Sequence, residues 1–106
     1  MLGTLEQHIL LAILRKRGNA YGVSIAEELE ARTNKRHSFG AIYTTLERLK
    51  TKGYVTSREG EPTAERGGRA KLYFDLTGKG QKALDESLHA VFRLQAGIRG
   101  LKGAQA

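Results

Sequence analysis

The sequence has no cysteine and no tryptophan, and it contains a single proline. Without cysteine it cannot form a disulfide framework or a thiolate metal site, which excludes the small secreted proteins that disulfides hold together. The apolar run from Ile9 to Leu14 is far too short to cross a bilayer. No charged segment precedes this run and no small-residue cleavage site follows it, as a secretory signal would require. We therefore expect a soluble, cytoplasmic protein with no membrane partner.

Positive charge is concentrated in the middle of the chain. The 106 residues are enough for one small domain, with a formal net charge of +7 and an isoelectric point near 10.0. Between residues 32 and 71 there are ten Lys and Arg residues and four Glu residues, and ten minus four gives +6 of the total +7. A basic surface of this kind favours an anionic partner such as nucleic acid.

The segment from Ser38 to Gly53 is the one around which we expect the rest of the chain to be organised. It has the pattern of an amphipathic helix with a Ser start signal and a Gly stop signal. Three apolar residues at helical spacing form its core-facing side, namely Ile42, Leu46 and Leu49. The opposite side carries small and hydroxyl groups first and basic groups later: Gly40, Thr44, Glu47, Arg48 and Thr51.

A helix with this outer side is suited to enter a DNA groove, because little bulk at its leading end permits close approach. Taken alone, the pattern is more often that of an ordinary surface helix, and it is the segments after it that favour DNA binding. The residues predicted to contact DNA are Ser38, Gly40 and Ala41 at the point of close approach, Tyr43 and Thr44 at the base edges, and Arg48 and Lys50 near phosphates.

Two helices are predicted before this segment. Thr4 and Gln7 have the spacing of a capping box at the start of the first helix, and Gly18 is expected to end it. The second is expected from Tyr21 to Ala31. Acidic residues crowd its second half and would repel phosphate, so only its beginning is expected at the DNA. There the Tyr21 hydroxyl could reach a phosphate oxygen.

After Gly53 the periodicity changes from helical to alternating. Residues 54–58 and 70–76 are predicted to be strands, joined by a turn over 59–68 that is too long for a two-residue hairpin turn. The expected β-hairpin has a basic, glycine-containing loop that can approach DNA phosphates or a minor groove. The loop residues concerned are Arg66, Gly67, Gly68 and Arg69, with Lys71 following on the second strand.

A long helix is predicted over residues 77–102, capped by Thr77, ahead of a tail at 103–106 that is expected to be disordered. Its first turns are expected to pack on the chain's own core. The rest of its apolar side has no partner within one chain, and a second copy of the same helix is the simplest one. The residues predicted to form this homodimer interface are Leu84, Leu88, Val91, Phe92, Leu94 and Ile98.

The predicted fold class is mainly α with a small β-hairpin: a winged helix-turn-helix domain over residues 1–76, followed by a C-terminal dimerisation helix. The predicted function is sequence-specific binding of double-stranded DNA at an inverted repeat. A protein–protein or RNA-binding winged-helix module is the alternative. An enzyme is the least expected class, because His8, His37 and His89 lie in separate elements and no phosphate-binding loop is present. No catalytic residue, metal or cofactor is predicted.

The chain resembles the PadR family of bacterial transcriptional regulators over roughly residues 3–95. The resemblance rests on the stretches LEQHILLAIL (5–14), AYGVSIAEELEART (20–33), SFGAIYTTLERLKTKGYV (38–55) and ERGGRAKLYFDLTGKG (65–80). It implies a homodimeric repressor of the smaller subclass, whose first and last helices help to form the dimer. It also implies that the RGGR loop lies at the DNA, together with Tyr21, Ser38, Gly40, Tyr43 and Thr44.

The resemblance also bears on small-molecule effectors. Some relatives bind phenolic acids or flat hydrophobic drugs at the dimer interface. The drug-binding relatives use an aromatic stacking pair, and this sequence has no tryptophan to supply it in that form. A small hydrophobic effector is therefore left unassigned.

Overall fold

The computed structural model describes residues 2–62 and 70–101. In chain order they form α1 (Thr4–Arg15), α2 (Gly22–Thr33), α3 (Phe39–Thr51), β1 (Val55–Pro62), β2 (Ala70–Leu76) and α4 (Gly78–Gln95). The two strands pair as one antiparallel hairpin. Three helices, a hairpin and a further helix make the mainly α winged helix-turn-helix that the sequence predicts.

One apolar core joins the helices to the hairpin. The core side predicted for α3 is confirmed, because Ile42, Leu46 and Leu49 are completely buried. Burial of apolar surface contributes about 25 cal/mol per Å², so this side of the helix holds α3 in place. The other large core residues come from every remaining element: Ile9, Leu10, Ile25, Val55, Phe74 and Leu84.

The first helix starts differently from the way its sequence signal indicates. Gly3 is the N-cap and Thr4 the first helical residue, so the predicted capping box of Thr4 with Gln7 is wrong. The Glu6 carboxylate instead accepts a hydrogen bond from the Gly3 amide at 2.8 Å. Glycine has no side chain to complete a reciprocal capping box. The Glu6 carboxylate therefore caps the start of the helix from its first turn.

The turn between α1 and α2 is also shifted. α1 ends at Arg15, and Gly18, the predicted terminator, lies in the following turn with a φ of +80°. Tyr21 is the N-cap of α2, one residue outside the helix, and its amide donates to the Ser24 hydroxyl at 2.9 Å. The helix continues to Thr33, two residues beyond its predicted end.

The hairpin is longer on its first strand than the sequence predicts. β1 continues to Pro62, whereas the alternating pattern indicates an end at Arg58 and a turn from Glu59 onward, and that boundary is wrong. Pairing is regular between residues 55–59 and 72–76 and irregular beyond Glu59. An irregularity of this kind accommodates extra residues, so a segment with the composition of a turn can continue the strand. The second strand has the predicted bounds.

The loop before α2 pairs with the free edge of β2. The amide of Phe74 donates to the carbonyl oxygen of Ala20 at 2.8 Å. Tyr21 forms an isolated antiparallel bridge with Tyr73. The start of α2 is therefore attached to the hairpin by backbone pairing, in addition to the core.

Thr77 connects the end of α3 to the start of α4. Its hydroxyl donates to the carbonyl oxygen of Gly53 at 2.7 Å and accepts from the amide of Gly80 at 3.0 Å, which confirms the predicted cap. α4 ends at Gln95, well before the predicted residue 102. A glycine with a φ of +79° follows at position 97, and this conformation cannot continue a right-handed helix.

Candidate nucleic-acid interface

The exposed side of α3 begins at its cap. The Ser38 hydroxyl oxygen accepts a hydrogen bond from the Ala41 amide at 3.1 Å, as the Ser start signal predicts. Gly40 follows in open space, since a Cβ built there would meet nothing closer than the Ser38 oxygen, at 3.9 Å. Gly40 therefore presents open backbone in the first turn of α3, which suits a close approach to a groove. The prediction of little bulk at the leading end of the helix holds for Gly40 but is wrong for Phe39, whose side chain is 53% exposed.

Later turns of α3 expose polar and basic groups. Thr44, Arg48 and Lys50 are exposed, as is Glu47. Ala41 is half-buried at the edge of this surface. Gly40 and Thr44 thus lie on the side of α3 opposite the core, and Ala41, Arg48 and Lys50 lie toward its flanks.

Tyr43 is directed toward α2 rather than straight outward. It is half-buried and packs against the core, and its ring lies over Gly22, the first residue of α2. A Cβ on Gly22 would lie only 2.5 Å from Cζ of Tyr43, so the ring would have to move if this residue were larger than glycine. The structure gives Tyr43 a role in joining the two helices, and its contact with base edges stays a prediction.

Phe39 is an exposed residue that the sequence pattern does not identify. It lies three residues before Ile42 and so continues the spacing of the core side, yet it is 53% exposed. The reason is positional: Phe39 is the first residue of α3, and the helix begins beyond the edge of the core. A large apolar ring thus stands beside the open backbone of Gly40.

Four side chains form a row on one face of the sheet, which we call the aromatic row: Arg58, Tyr73, Tyr21 and Lys71. Arg58 of β1 is paired with Tyr73 of β2, and Tyr73 is bridged to Tyr21 on its other side. The two tyrosine rings meet edge to face, with centroids 5.6 Å apart and planes at 74°. The Arg58 guanidinium lies 4.9 Å from the Tyr73 centroid, and Lys71 Nζ lies 4.3 Å from the Tyr21 centroid.

The acidic residues of α2 neutralise basic residues away from α3. Glu28 lies near Arg15, Lys16 and Arg32, at 3.6, 3.7 and 3.0 Å respectively. The hydrogen bond from Arg32 lowers the pKa of Glu28 and, with the nearby positive charges, outweighs the opposing effect of burial. Glu28 is therefore a stable counter-charge for three basic residues.

Basic residues on α3 and β2 are left without such partners. Within residues 2–62 and 70–101, no ion pair includes Arg48, Lys50 or Lys71. Pairing of charges thus leaves the positive potential on α3 and the hairpin, where an anionic ligand would gain most from it.

The predicted loop residues Arg66, Gly67, Gly68 and Arg69 lie outside the described residues. Their contact with DNA stays a prediction from the sequence.

The exposed apolar residues of the chain are mostly in and beyond the second half of α4. Of the six residues predicted at a dimer interface, Leu84 is buried in the chain's own core and Leu88 packs against that core. Val91, Phe92 and Leu94 are exposed on the helix, and Ile98 is exposed beyond its end. The predicted tail at 103–106 lies outside the described residues.

The described ranges contain neither a metal-binding cluster nor a membrane-spanning helix. No group of three or more His, Asp or Glu side chains there could hold a metal ion. Likewise, no helix in this part of the chain is long and apolar enough to cross a membrane.

Known proteins resemble this chain in sequence and in fold. Residues 10–86 match the model of the "Transcriptional regulator PadR-like family". No curated protein matches the chain. A solved PadR-like transcription factor from Bacteroides fragilis is 30% identical, with a TM-score of 0.73, over 87% of this chain and 84% of that one. A PadR-like transcriptional regulator from Bacillus cereus is 25% identical, with a TM-score of 0.69, over 83% and 81%.

One similar structure contains a nucleic acid. It is Bacillus subtilis PadR in complex with operator DNA, which is 23% identical with a TM-score of 0.68. The match covers 81% of this chain and 48% of that one, so the two share the fold over about half of the longer protein.

Proposed function

We propose that this protein, which belongs to the Transcriptional regulator PadR-like family, controls transcription by binding double-stranded DNA through α3, the start of α2 and the hairpin. The family consists of transcriptional regulators, so the prediction that the chain is not an enzyme is confirmed. The DNA-bound relative from Bacillus subtilis supports DNA as the ligand. A regulator of this kind works beside the chromosome, and we accordingly propose a cytoplasmic location.

The observation that carries the proposal is the separation of charge around α3. Glu28 and Glu30 are engaged with basic residues of α1, α2 and the loop before α3. Arg48 and Lys50 are exposed in the later turns of this helix and flank the line that continues from the open backbone at Gly40. Neither forms an ion pair among the described residues, although the charge of Arg48 helps to lower the pKa of Glu6. A helix that combines close approach with uncompensated positive charge fits a phosphate-lined groove.

We assign direct base contacts to the first half of α3. The Thr44 hydroxyl is exposed and can donate or accept at a base edge. The exposed ring of Phe39 fits apolar contact with the methyl group of thymine. Arg48 and Lys50, further along the helix, are assigned to phosphates.

We further propose that the protein is a homodimeric repressor of an inverted repeat. The exposed apolar groups of α4, Val91, Phe92 and Leu94, leave water when a second copy packs on them. A two-fold axis then presents two α3 helices to two half-sites one or more turns of DNA apart. A dimer that covers a promoter in this way blocks transcription. A small hydrophobic effector remains unassigned.

The test of DNA binding uses the DNA upstream of the protein's own gene, a random duplex of equal length, and RNA of the same sequence. We expect preference for the upstream DNA, with the logarithm of affinity falling by about 0.9 per phosphate neutralised for each tenfold rise in salt. Arg48→Ala should weaken binding to every duplex, and Thr44→Ala should reduce the preference for the upstream DNA over the random duplex. Equal weak binding to every duplex would disprove a regulator with sequence-specific recognition, and preference for RNA would favour the alternative module.

The test of the dimer uses the exposed residue Leu94, because it is 78% exposed and its replacement should spare the fold. We expect the unaltered chain to sediment as a dimer and Leu94→Glu to shift it toward monomer. Glu86→Gln, a change at another exposed residue of α4, is the control. An unaltered chain that sediments as a monomer at micromolar concentration would contradict the homodimer.

A further inference from the structure

Tyr73 lies at the centre of the aromatic row, and its ring is held from three sides. Arg58 lies over the ring, and Tyr21 meets it edge to face. Gly60 lies on the third side, where a Cβ would come within 2.8 Å of Cδ2 of Tyr73. Gly60 therefore has to be a glycine for the ring to lie on the backbone of β1. These three contacts hold the Tyr73 ring against β1 and beside Tyr21.

The Arg58 end of the row is satisfied within the chain. Nε of Arg58 donates to the Asp75 carboxylate at 3.1 Å. Nη2 of the same side chain donates to the carbonyl oxygen of Gly18, also at 3.1 Å, in the turn between α1 and α2. One guanidinium thus connects both strands to that turn. Its positive charge is already paired with the Asp75 carboxylate.

Among the described residues, the Lys71 end of the row has no paired anion. Lys71 Nζ lies over the Tyr21 ring, and no ion pair of the described part of the chain includes it. The Tyr21 hydroxyl likewise has no hydrogen-bond partner in that part of the chain. An ammonium and a hydroxyl held together without an acceptor match the needs of a phosphate oxygen.

We infer that Tyr73 is a positioning residue for DNA binding. Its ring holds the Tyr21 ring, on which Lys71 lies, so that the Tyr21 hydroxyl and the Lys71 ammonium are presented together to the phosphate backbone. This inference rests on the proposed function. Tyr73 itself acts through its neighbours and touches no phosphate.

The experiment measures affinity for the upstream duplex over a series of salt concentrations. The variants are Tyr73→Leu, which removes the ring; Tyr73→Phe, which keeps it; Lys71→Gln; and the double variant Tyr73→Leu/Lys71→Gln. Lys82→Gln removes the same charge from the exposed side of α4 and is the matched control. Thermal unfolding of each variant shows that the measured protein is folded.

Tyr73→Leu should reduce the slope of log affinity against log salt by about 0.9, the loss of one neutralised phosphate. At 0.1 M salt this corresponds to roughly eightfold weaker binding. Lys71→Gln should have the same effect, and the double variant should be little worse than either single one. Tyr73→Phe should retain the slope of the unaltered chain, and so should Lys82→Gln.

A purely structural role for Tyr73 would lower the unfolding temperature without altering the salt slope of the folded protein, and this result would overturn the inference. So would an unchanged slope in Lys71→Gln, or additive losses in the double variant. If Tyr73→Leu does not fold, the inference is tested by the salt slope and affinity of Lys71→Gln and Tyr21→Phe. Both changes leave the Tyr73 ring in place. A failure of the proposed function is recognised separately, since the unaltered chain would then prefer no duplex.

Discussion

Lys52, at the end of α3, donates a hydrogen bond to the carboxylate of Glu6, in the first turn of α1, over a distance of 2.9 Å and 46 residues of sequence. Glu6 is almost completely buried. Burial raises the pKa of Glu6, but hydrogen bonds from the Gly3 amide and from Lys52, with the charges of Lys52 and Arg48, outweigh it and hold this pKa below its ordinary value. The pair holds the end of α3 against α1. It also directs one basic residue away from the surface that is proposed to bind DNA.

The Glu6–Lys52 pair should make stability depend on pH. Because the pKa of Glu6 is lower in the folded chain than in the unfolded one, its stabilisation is present above the ordinary carboxyl pKa of about 4.3 and is lost as the pH falls through the folded value. Glu6→Gln should cost about 1–3 kcal/mol at pH 7 and much less near pH 3. Urea unfolding at both pH values measures this.

Glu86→Gln is the control for this change, because Glu86 is an exposed acid of α4. It should alter the unfolding free energy little at either pH. A loss in Glu6→Gln that is equal at pH 7 and pH 3 would show that the charge of Glu6 does not act through Lys52.

Gly22→Ala should strain the contact between α2 and α3. The new methyl group would lie 2.5 Å from Cζ and 3.2 Å from Cε2 of Tyr43. Overpacking of this kind typically costs about 1–3 kcal/mol, and Tyr43→Leu in the same chain should recover part of it. Gly78→Ala is the matched control, because nothing lies within 4 Å of a Cβ there. Equal unfolding temperatures for the two alanine variants would contradict the packing of Tyr43 on Gly22.

Gly40→Ala should separate binding from folding. A methyl group at Gly40 has room in the free protein, and alanine favours a helix over glycine by up to about 1 kcal/mol, so stability should be unchanged or slightly raised. At the DNA the same methyl group stands between backbone and groove, and affinity for the upstream duplex should fall by roughly tenfold. Unfolding and binding measured on the same preparation test this. A variant that binds as well as the unaltered chain would show that α3 does not approach DNA by its first turn.

Phe39→Ala should reduce recognition of thymine. The ring is half-exposed in the free protein, so its removal should cost little stability. The decisive comparison replaces individual thymines of the upstream duplex by deoxyuridine, which lacks only the methyl group. The unaltered chain should lose affinity at one such position in each half-site, whereas Phe39→Ala should be insensitive there. An equal loss for both proteins would assign the methyl contact to another residue.

Local patterns predicted the elements of this fold well. The amphipathic spacing of α3, its Ser38 cap, the second strand and the Thr77 cap are all found where the sequence indicates them. The errors concern where these elements begin and end. Gly3 caps α1 because its amide meets Glu6, and the final helix stops at Gln95. β1 runs past its predicted end because Pro62 pairs with Ala70 beyond the irregularity that follows Glu59.

The candidate site was predictable only in part. Periodicity identified the outer side of α3, since it depends only on which residues face away from the core. Phe39 was not predicted, because its spacing continues that of the core residues, and spacing along a helix does not show where the core ends.

The sequence by itself determined which segments become helix and strand, which side of each helix is apolar, and that positive charge gathers between residues 32 and 71. These follow from spacing and composition, which act within a few residues of one another. Only the tertiary structure decided that Lys52 turns to Glu6, that Tyr43 lies on Gly22, and that Tyr73 stands beside Tyr21. Such contacts join residues some twenty to fifty positions apart, and they depend on how the helices pack around one core, which no local period encodes.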